Sequence, residues 1–569
     1  MTTTVANYLL TRLEQLGLRS VFGVPGDFNL AFLDEFDNHR DLTWVGCANE
    51  LNAAYAADGY ARVNHRISAI VTTFGVGELS AMNGVAGSYS EHVGVVHIVG
   101  TPSTFDQRSG SLLHHTLGNG DFSVFAKMSK SITTTQANLT DPATAGSEID
   151  RVLQACYVRA HPVYLGIPTD MAYAEVSAKP LETKLDLSPR ENEEELETYL
   201  IDEVLGLIHG AKAPIILVDA CAIRHRVLDE VNQLIRRTHF PVFCTPMGKS
   251  AISEELPEFG GVYIGSITQA HIKKVVEEAD LVLSVGALKS DFNTGSFSYH
   301  INKTAVVEFH SDRTQVKYAT YPGVGMNSLL PKLIARIDTA RTTAIPVPAF
   351  ENEAKQEHES AITHDWFWPT VGDRFLRPDD VVVTETGTSN FGILDTRLPH
   401  AVEIVSQVLW GSIGFSVGAL LGAAQAARER DDEAGGGRSS SRTVLFVGDG
   451  SLQLTVQEIS TMIRQGLKPI IFVLNNDGYT IERFIHGPER EYNDINTSWQ
   501  YQHLLEFFGA VDQKSYKVST QDEVTALFGD GEFMAAGRIQ LVEVIMGKMD
   551  APRALKVQAE LTAKANSHK

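Results

Sequence analysis

Apolar residues along this chain fall into two alternating registers. Short unbroken apolar runs, such as SVFGV, ISAIVTT, GVVHIV and PVYLGIP in the first third, alternate with stretches such as VANYLLTRLEQLG, where apolar positions recur every third or fourth residue. The unbroken runs have the pattern of strands buried on both faces, and the longer period is that of an amphipathic helix. Their alternation predicts a doubly wound parallel sheet. The pattern then restarts twice. A second set begins at APIILVDAC, continues through ADLVLSVGA and TAVVEFHSD and stops near Arg341; a third starts at about residue 361 with DVVVTETG, TVLFVGDG and PIIFVLNN. The stretches SAKPLETKLDLSPRENEEELE and TTAIPVPAFENEAKQEHES between the sets have the proline and charge content of linkers. The predicted fold class is α/β, with three consecutive doubly wound parallel-sheet domains over 1–182, 195–341 and 361–569. The low-complexity run RERDDEAGGGRSSSR is expected as a surface loop before the strand at 443.

At 569 residues, each of three domains has enough chain to bury a core. The 48 Lys and Arg against 70 Asp and Glu leave a net charge of -22, which argues against a nucleic-acid or anionic-membrane partner. Cys47, Cys156, Cys221 and Cys244 lack metal-type CxxC spacing and fit reduced thiols. The start, MTTTVANYLL, has no signal-peptide pattern, and GFSVGALLGAAQAA is too short to span a bilayer. A cytoplasmic protein is expected.

The strongest local signal is VLFVGDGSLQLTVQEISTMIRQGLKPIIFVLNNDGYTIE. An apolar strand ends at Gly448-Asp449-Gly450, a helix carries Ile459, Met462 and Ile463 on one face, and a second strand ends at Asn475-Asn476. In a parallel sheet both ends fall on the carboxyl edge, where ligands bind, so Asp449 and Asn476 are expected together. A carboxylate, an amide oxygen and backbone carbonyls near Gly478 are hard ligands suited to Mg²⁺. Gly450 and Ser451 open a helix whose positive end could face a diphosphate. Two plain turns are the alternative, weakened by their falling on two adjacent strands. Neither GVGELS nor GDGSLQ has the third glycine of a dinucleotide fingerprint. The adjacent pair His114-His115 in SLLHHTLGNGD is open to three readings: metal site, acid/base groups or incidental neighbours. Side chains adjacent in a loop point apart, which disfavours one shared ion.

GDG, 24 residues and NN resemble the thiamine-diphosphate-binding motif. GVPGDFNL, CANELNAAYAADGYARV, LLHHTLG, FHSD, VLWGSIGF and NNDGYTIERFIHGP resemble, in order and over most of the chain, stretches of thiamine-diphosphate-dependent 2-oxo acid decarboxylases of the fungal pyruvate decarboxylase type. The resemblance implies an N-terminal domain that binds the pyrimidine, a Rossmann-like middle domain that is structural or regulatory, and a C-terminal domain that binds diphosphate and Mg²⁺. It implies a homo-oligomer, a dimer of dimers, with the cofactor at a subunit interface. The implied reaction is non-oxidative decarboxylation of a small 2-oxo acid, pyruvate first, to an aldehyde and CO₂ through a thiamine-bound carbanion/enamine, with activation by substrate.

By match to these motifs, Asp27, Glu50, His114, His115 and Glu482 would be catalytic, Glu50 as partner of the pyrimidine nitrogen. Thr388, Gly411, Ser412, Ile413, Asp449, Gly450, Ser451, Asn476, Asp477, Gly478, Tyr479 and Thr480 would contact the cofactor with Glu50, and Asp449, Asn476 and Gly478 would hold the metal. Ile413 would be the apolar wedge that bends the cofactor. Cys221 matches a proposed substrate-sensing cysteine, with Glu91, His92 and Trp410 as a relay to Glu50; a small buried thiol is the alternative.

Two positions depart from the yeast pattern. Asn390 replaces an alanine, which is expected to shrink or repolarise the pocket, and His161 replaces an arginine before PVYLG. Asn390 and Phe292 together favour a small substrate over indole- or phenylpyruvate. An acetolactate-forming carboligase would lack the histidine pair and the glutamate after the metal motif; a catalytically silent cofactor-binding paralogue would have lost a proton-transfer residue. All of these residues are present.

Overall fold

The computed structural model of the protein describes residues 1–350, 360–435 and 441–567. Its first sheet has six parallel strands in the spatial order Thr43–Gly46, Ser20–Gly23, Ser68–Thr73, Val95–Thr101, Val163–Pro168 and Gln136–Asn138. Every residue of Ser68–Thr73, Val95–Thr101 and Val163–Pro168 is buried, because helices cover both faces. The third sheet repeats the same order, 2-1-3-4-6-5, with Glu403–Val405, Val381–Thr384, Thr443–Gly448, Ile470–Asn475, Ile539–Ile545 and Gln513–Val518. In both, the winding reverses between the first and third strands, which opens a crevice at their carboxyl ends.

The middle sheet is Rossmann-like. Phe259–Val262, Val242–Cys244, Pro214–Val218, Leu281–Val285 and Val306–Phe309 lie parallel in the order 3-2-1-4-5. Two further strands, Arg313–Val316 and Ala319–Pro322, extend it antiparallel. The apolar-run pattern misses this hairpin because its inner strand alternates buried and half-buried residues and its outer strand is mostly exposed, as an edge pair does.

The first and third domains meet through two helices, Glu50–Asn64 and Phe415–Glu433. Glycines set their separation: a Cβ on Gly422 would overlap the Ala56 carbonyl, and one on Gly59 would overlap that of Ala419. Helix Phe415–Glu433 also corrects the loop expected over RERDDEAGGGRSSSR, since Arg428–Glu433 are helical. Their polar groups have partners: Glu429 accepts from Ser20 Oγ at 2.6 Å and Tyr60 OH at 2.5 Å, and Arg428 donates to the Gln465 carbonyl at 2.7 Å. Residues 436–440 of that run lie outside the described residues.

The first expected linker is partly built into the first domain. Buried Arg12, paired with Asp150, donates to the carbonyls of Pro180 and Thr183 at 2.9 and 2.7 Å. Of the second, Phe350 packs edge-on against Phe259, while residues 351–359 lie outside the described residues. Among the described residues no helix is long and apolar enough to cross a membrane.

Candidate active site

The crevice of the first sheet holds Asp27, Glu50, His114 and His115 of the residues predicted to be catalytic, whereas Glu482 lies at the third sheet. Strand Ser20–Gly23 runs into a turn that the fully buried Asn29 fixes, accepting from Gly26 N at 2.9 Å and donating to the Val24 carbonyl at 3.1 Å. The turn presents Asp27, whose Oδ2 pairs with His114 Nε2 at 2.7 Å. The His114 ring stacks on Phe28, 5.0 Å between centroids, and His115 stands edge-on to His114 at 4.6 Å. One ligand atom from each of Asp27, His114 and His115 lies within 4.8 Å of the others. The side chains of His114 and Asp27 remain 58% and 49% exposed. Glu50 opens its helix behind the Asn49 cap, half-buried, with Oε1 over Gly77, where a Cβ would come within 2.9 Å. Behind this edge Glu78 accepts from Gly75 N at 2.8 Å and Tyr164 OH at 3.0 Å; burial pushes its carboxyl up to about 7.

The crevice of the third sheet holds oxygen atoms. Asp449 follows directly on Thr443–Gly448; its Oδ1 accepts from Gly450 N at 2.9 Å and its Oδ2 from Gly478 N at 3.1 Å. The Asn476 side-chain oxygen lies 3.1 Å from Asp449 Oδ1 and 2.9 Å from the Gly478 carbonyl. Its Nδ2 donates to Thr480 Oγ1 at 2.8 Å, and that hydroxyl donates to the Lys548 carbonyl at 3.1 Å. Reversing the amide would give hydrogens to the two facing oxygens but take the Thr480 hydroxyl from Lys548. As oriented, three acceptor oxygens converge, which a hard divalent cation satisfies at once. Burial pushes the Asp449 carboxyl up to about 6.

The loop after Asn476 needs its glycine. Gly478 has φ 115, and a Cβ there would also press on the Asn493 carbonyl; Gly450 leaves room for the Tyr479 ring. Asp477 is left-handed at φ 58. Arg483, buried and absent from the sequence reading, ties the loop down by donating to the Asp477 carbonyl at 2.5 Å and to Asp494 at 3.0 Å. Ser451 is buried in the helix that Asp449 opens, and Glu482 is half-buried in helix Thr480–His486.

The segment 407–416, which joins the first domain to the third, is held by two glutamates. Glu385 accepts from Thr386 N, Gly414 N, Ser416 N and Ser416 Oγ at 2.7–3.2 Å, and burial pushes it up to about 7. Glu91 Oε1 accepts from the amides of Val408, Leu409 and Trp410 at 2.9, 2.7 and 3.2 Å. Ser412 bonds to Tyr55 OH at 2.7 Å and donates its amide to Gln407 Oε1 at 2.8 Å; Gly411 has φ 59 and Ile413 is half-buried. Thr388 starts a short helix after Gly387, at φ 107.

An apolar cleft beside this segment is lined by Pro246, Phe292, Thr386, Asn390, Val408 and Ile481, among others. The Asn390 amide does not repolarise it. Oδ1 accepts from the Thr384 hydroxyl at 2.7 Å and Nδ2 donates to the Gln407 carbonyl at 3.0 Å, so both polar atoms join the third sheet to its loop. Among the described residues no hydrogen bond or ion pair links Asp27, His114 or His115 to Asp449, Asn476 or Gly478.

Residues 3–123, 201–333 and 387–544 match, in order, the family descriptions "Thiamine pyrophosphate enzyme, N-terminal TPP binding domain", "central domain" and "C-terminal TPP binding domain". The chain belongs to the thiamine pyrophosphate enzyme family. The central match falls on the Rossmann-like sheet, and the two cofactor-binding matches fall on the sheets of identical strand order. The chain is 53% identical to a putative pyruvate decarboxylase of Schizosaccharomyces pombe and 53% identical to a pyruvate decarboxylase of Candida glabrata. It is 51% identical to pyruvate decarboxylase isozyme 1 of Saccharomyces cerevisiae; each alignment covers 99% of both chains. Thiamine diphosphate is thus the family's cofactor, and Asp449, Asn476 and Gly478 have the donor chemistry to hold its diphosphate through a hard cation.

Proposed function

We propose that this chain decarboxylates pyruvate non-oxidatively to acetaldehyde and CO₂, with thiamine diphosphate and Mg²⁺. The observation that carries the reading is full-length likeness to pyruvate decarboxylases in a chain that also joins Asp27, His114 and His115 in one crevice. Bound thiamine diphosphate supplies the electron sink that receives the electrons released with CO₂. The chain's own residues do the rest. Asp449, Asn476 and the Gly478 carbonyl hold the cation, with Gly450, Ser451, Asp477, Tyr479, Thr480 and Thr388 around the diphosphate. Gly411, Ser412 and Ile413 seat the rings, and Glu50 holds a proton on the pyrimidine. Asp27, His114, His115 and Glu482 move the proton that replaces CO₂ on the product carbon.

Phe292 and Asn390 narrow the cleft, which supports pyruvate over an aromatic 2-oxo acid. We further read the domains as 1–182, 195–341 and 361–569 and the protein as a cytoplasmic homo-oligomer, a dimer of dimers. In support, the acid/base cluster is half-exposed and, among the described residues, has no hydrogen bond to the oxygen cradle of its own chain, an arrangement that an edge supplied by a second subunit would complete. Purified protein with thiamine diphosphate, Mg²⁺ and pyruvate, coupled to an aldehyde-reducing enzyme, should consume reduced nicotinamide. Absence of aldehyde from every 2-oxo acid offered would overturn the reading.

A further inference from the structure

A second cluster of ligand-type side chains lies where the first domain abuts the middle one. Cys221 sits in helix Ala220–Arg224, His225 caps its C-terminal end, and His92 follows helix Val76–Ser90 in a left-handed turn at φ 57. One ligand atom from each of His92, Cys221 and His225 lies within 4.8 Å of the others. Cys221 and His225 are 6% and 4% exposed. His92 Nδ1 and His225 Nε2 are buried with no hydrogen-bond partner among the described residues, a condition that native interiors rarely leave without a reason. His161 stands against His92, 4.3 Å between ring centroids, and its Nδ1 donates to the Arg159 carbonyl at 2.6 Å. That bond fixes the hydrogen on Nδ1 and leaves a lone pair on Nε2, the arrangement of a ring prepared to ligate.

We propose that His92, Cys221 and His225 form a site for a borderline-soft transition ion of the Zn²⁺ class, which His161, against His92 but outside the 4.8 Å group, completes as fourth ligand by a larger movement. A tetrahedral ion with bonds of about 2.0–2.3 Å holds its ligand atoms about 3.3–3.7 Å apart, so the three need to draw in by about 1 Å. Two imidazoles and a thiol select against Mg²⁺, which the all-oxygen cradle at Asp449 suits. Arg224 and Arg226 line the pocket beside His92, and their positive charge opposes a dication there. Their charges are partly engaged elsewhere: Arg226 stacks on Tyr157 at 3.8 Å and donates to its carbonyl at 2.9 Å, and Arg224 donates to the Glu91 carbonyl at 3.3 Å. On binding, the Cys221 S–H bond breaks, a sulfur–metal bond forms and one proton leaves to solvent, so the thiolate offsets one of the two ion charges.

The test titrates the full-length protein with Co²⁺ under excess Mg²⁺, which keeps the oxygen cradle filled. One Co²⁺ per chain should bind with tetrahedral visible bands, a thiolate-to-cobalt charge-transfer band and release of one proton, and Zn²⁺ should displace it. Cys221→Ser should abolish the charge-transfer band and His225→Ala should weaken binding at least tenfold, while Cys47→Ser keeps the parent spectrum. Should either variant fail to fold, the half-buried His161→Arg, which sets a cation beside His92, should also weaken binding at least tenfold. No Co²⁺ uptake, an unchanged band in Cys221→Ser, or parental affinity in His161→Arg would overturn the site as drawn.

Discussion

The first and third sheets share one strand order, yet their carboxyl edges present opposite chemistry. At the first, titratable side chains stand half-exposed on loops: Asp27 lies four residues past its strand, and His114 and His115 lie in a segment without regular structure. At the third, Asp449 and Asn476 follow directly on their strands and are 2% and 5% exposed. Groups that must gain and lose a proton need water or substrate within reach. Oxygens that must grip a cation gain from being fixed and dry before it arrives. The scaffold therefore supplies the crevice, and the residues at its rim decide what the crevice does.

Substitutions at each edge can break this division. Asp449→Ala removes the only carboxylate of the oxygen cradle and should lower turnover by about 10³-fold or more, with thiamine diphosphate affinity lost in parallel. His114→Gln and Asp27→Asn should each cost about 10²-fold in turnover while cofactor affinity, read by fluorescence quenching, stays within about threefold. Loss of cofactor affinity in His114→Gln would mean that the two edges do not divide the work. The join between them can be attacked separately. Gly422→Val drives a side chain into the Ala56 carbonyl and should lower stability by about 1–3 kcal/mol, seen as a lower denaturant midpoint.

The edges also share a feature: each is backed by a buried glutamate pushed up to about 7, Glu78 and Glu385. Such an acid binds its proton more tightly folded than unfolded. Its stabilising contribution is full below pH 4.5, the ordinary value, and is lost as pH rises through about 7. Glu78→Gln keeps the neutral shape, so relative to the parent it should gain roughly 2–3 kcal/mol between pH 4.5 and pH 8. Parallel stability–pH curves for parent and variant would show that Glu78 stays ionised.

The strands were legible because burial on both faces writes an unbroken apolar run, as in ISAIVTT and TVLFVGDG. The meeting of Asp449 and Asn476 was legible for a geometric reason, since parallel neighbours end on one edge. What stayed hidden are side chains that serve backbone. Glu91 gathers three amides from a segment more than three hundred residues away, and Glu385 and Arg483 hold loops the same way. An amide offers no residue type to match, so the sequence marks Glu91 only as a relay candidate by resemblance and leaves this holding role, and Glu385 and Arg483 altogether, unmarked. The helical Arg428–Glu433 was misread because its composition is that of a solvated loop, while Ser20, Tyr60 and Gln465 engage it from elsewhere in the chain.

Asn390 gives the smallest and most discriminating effect. Read from sequence, a polar side chain in the cleft changes what the cleft accepts; in the structure its two polar atoms are bound to Thr384 and the Gln407 carbonyl. Asn390→Ala removes both bonds. The Thr384 hydroxyl loses its acceptor, while the Gln407 carbonyl still accepts from the Thr386 hydroxyl at 3.4 Å. The cost should be about 1 kcal/mol of stability, measured by denaturant midpoint. Turnover of pyruvate should stay within about threefold, because the side chain touches the segment that seats the cofactor and not the acid/base cluster. The widened cleft should admit a longer aliphatic 2-oxo acid, with a lower KM for 2-oxobutanoate as the readout. If stability is unchanged and pyruvate turnover collapses instead, Asn390 contacts the substrate, and its two hydrogen bonds position it for that contact rather than bracing the loop.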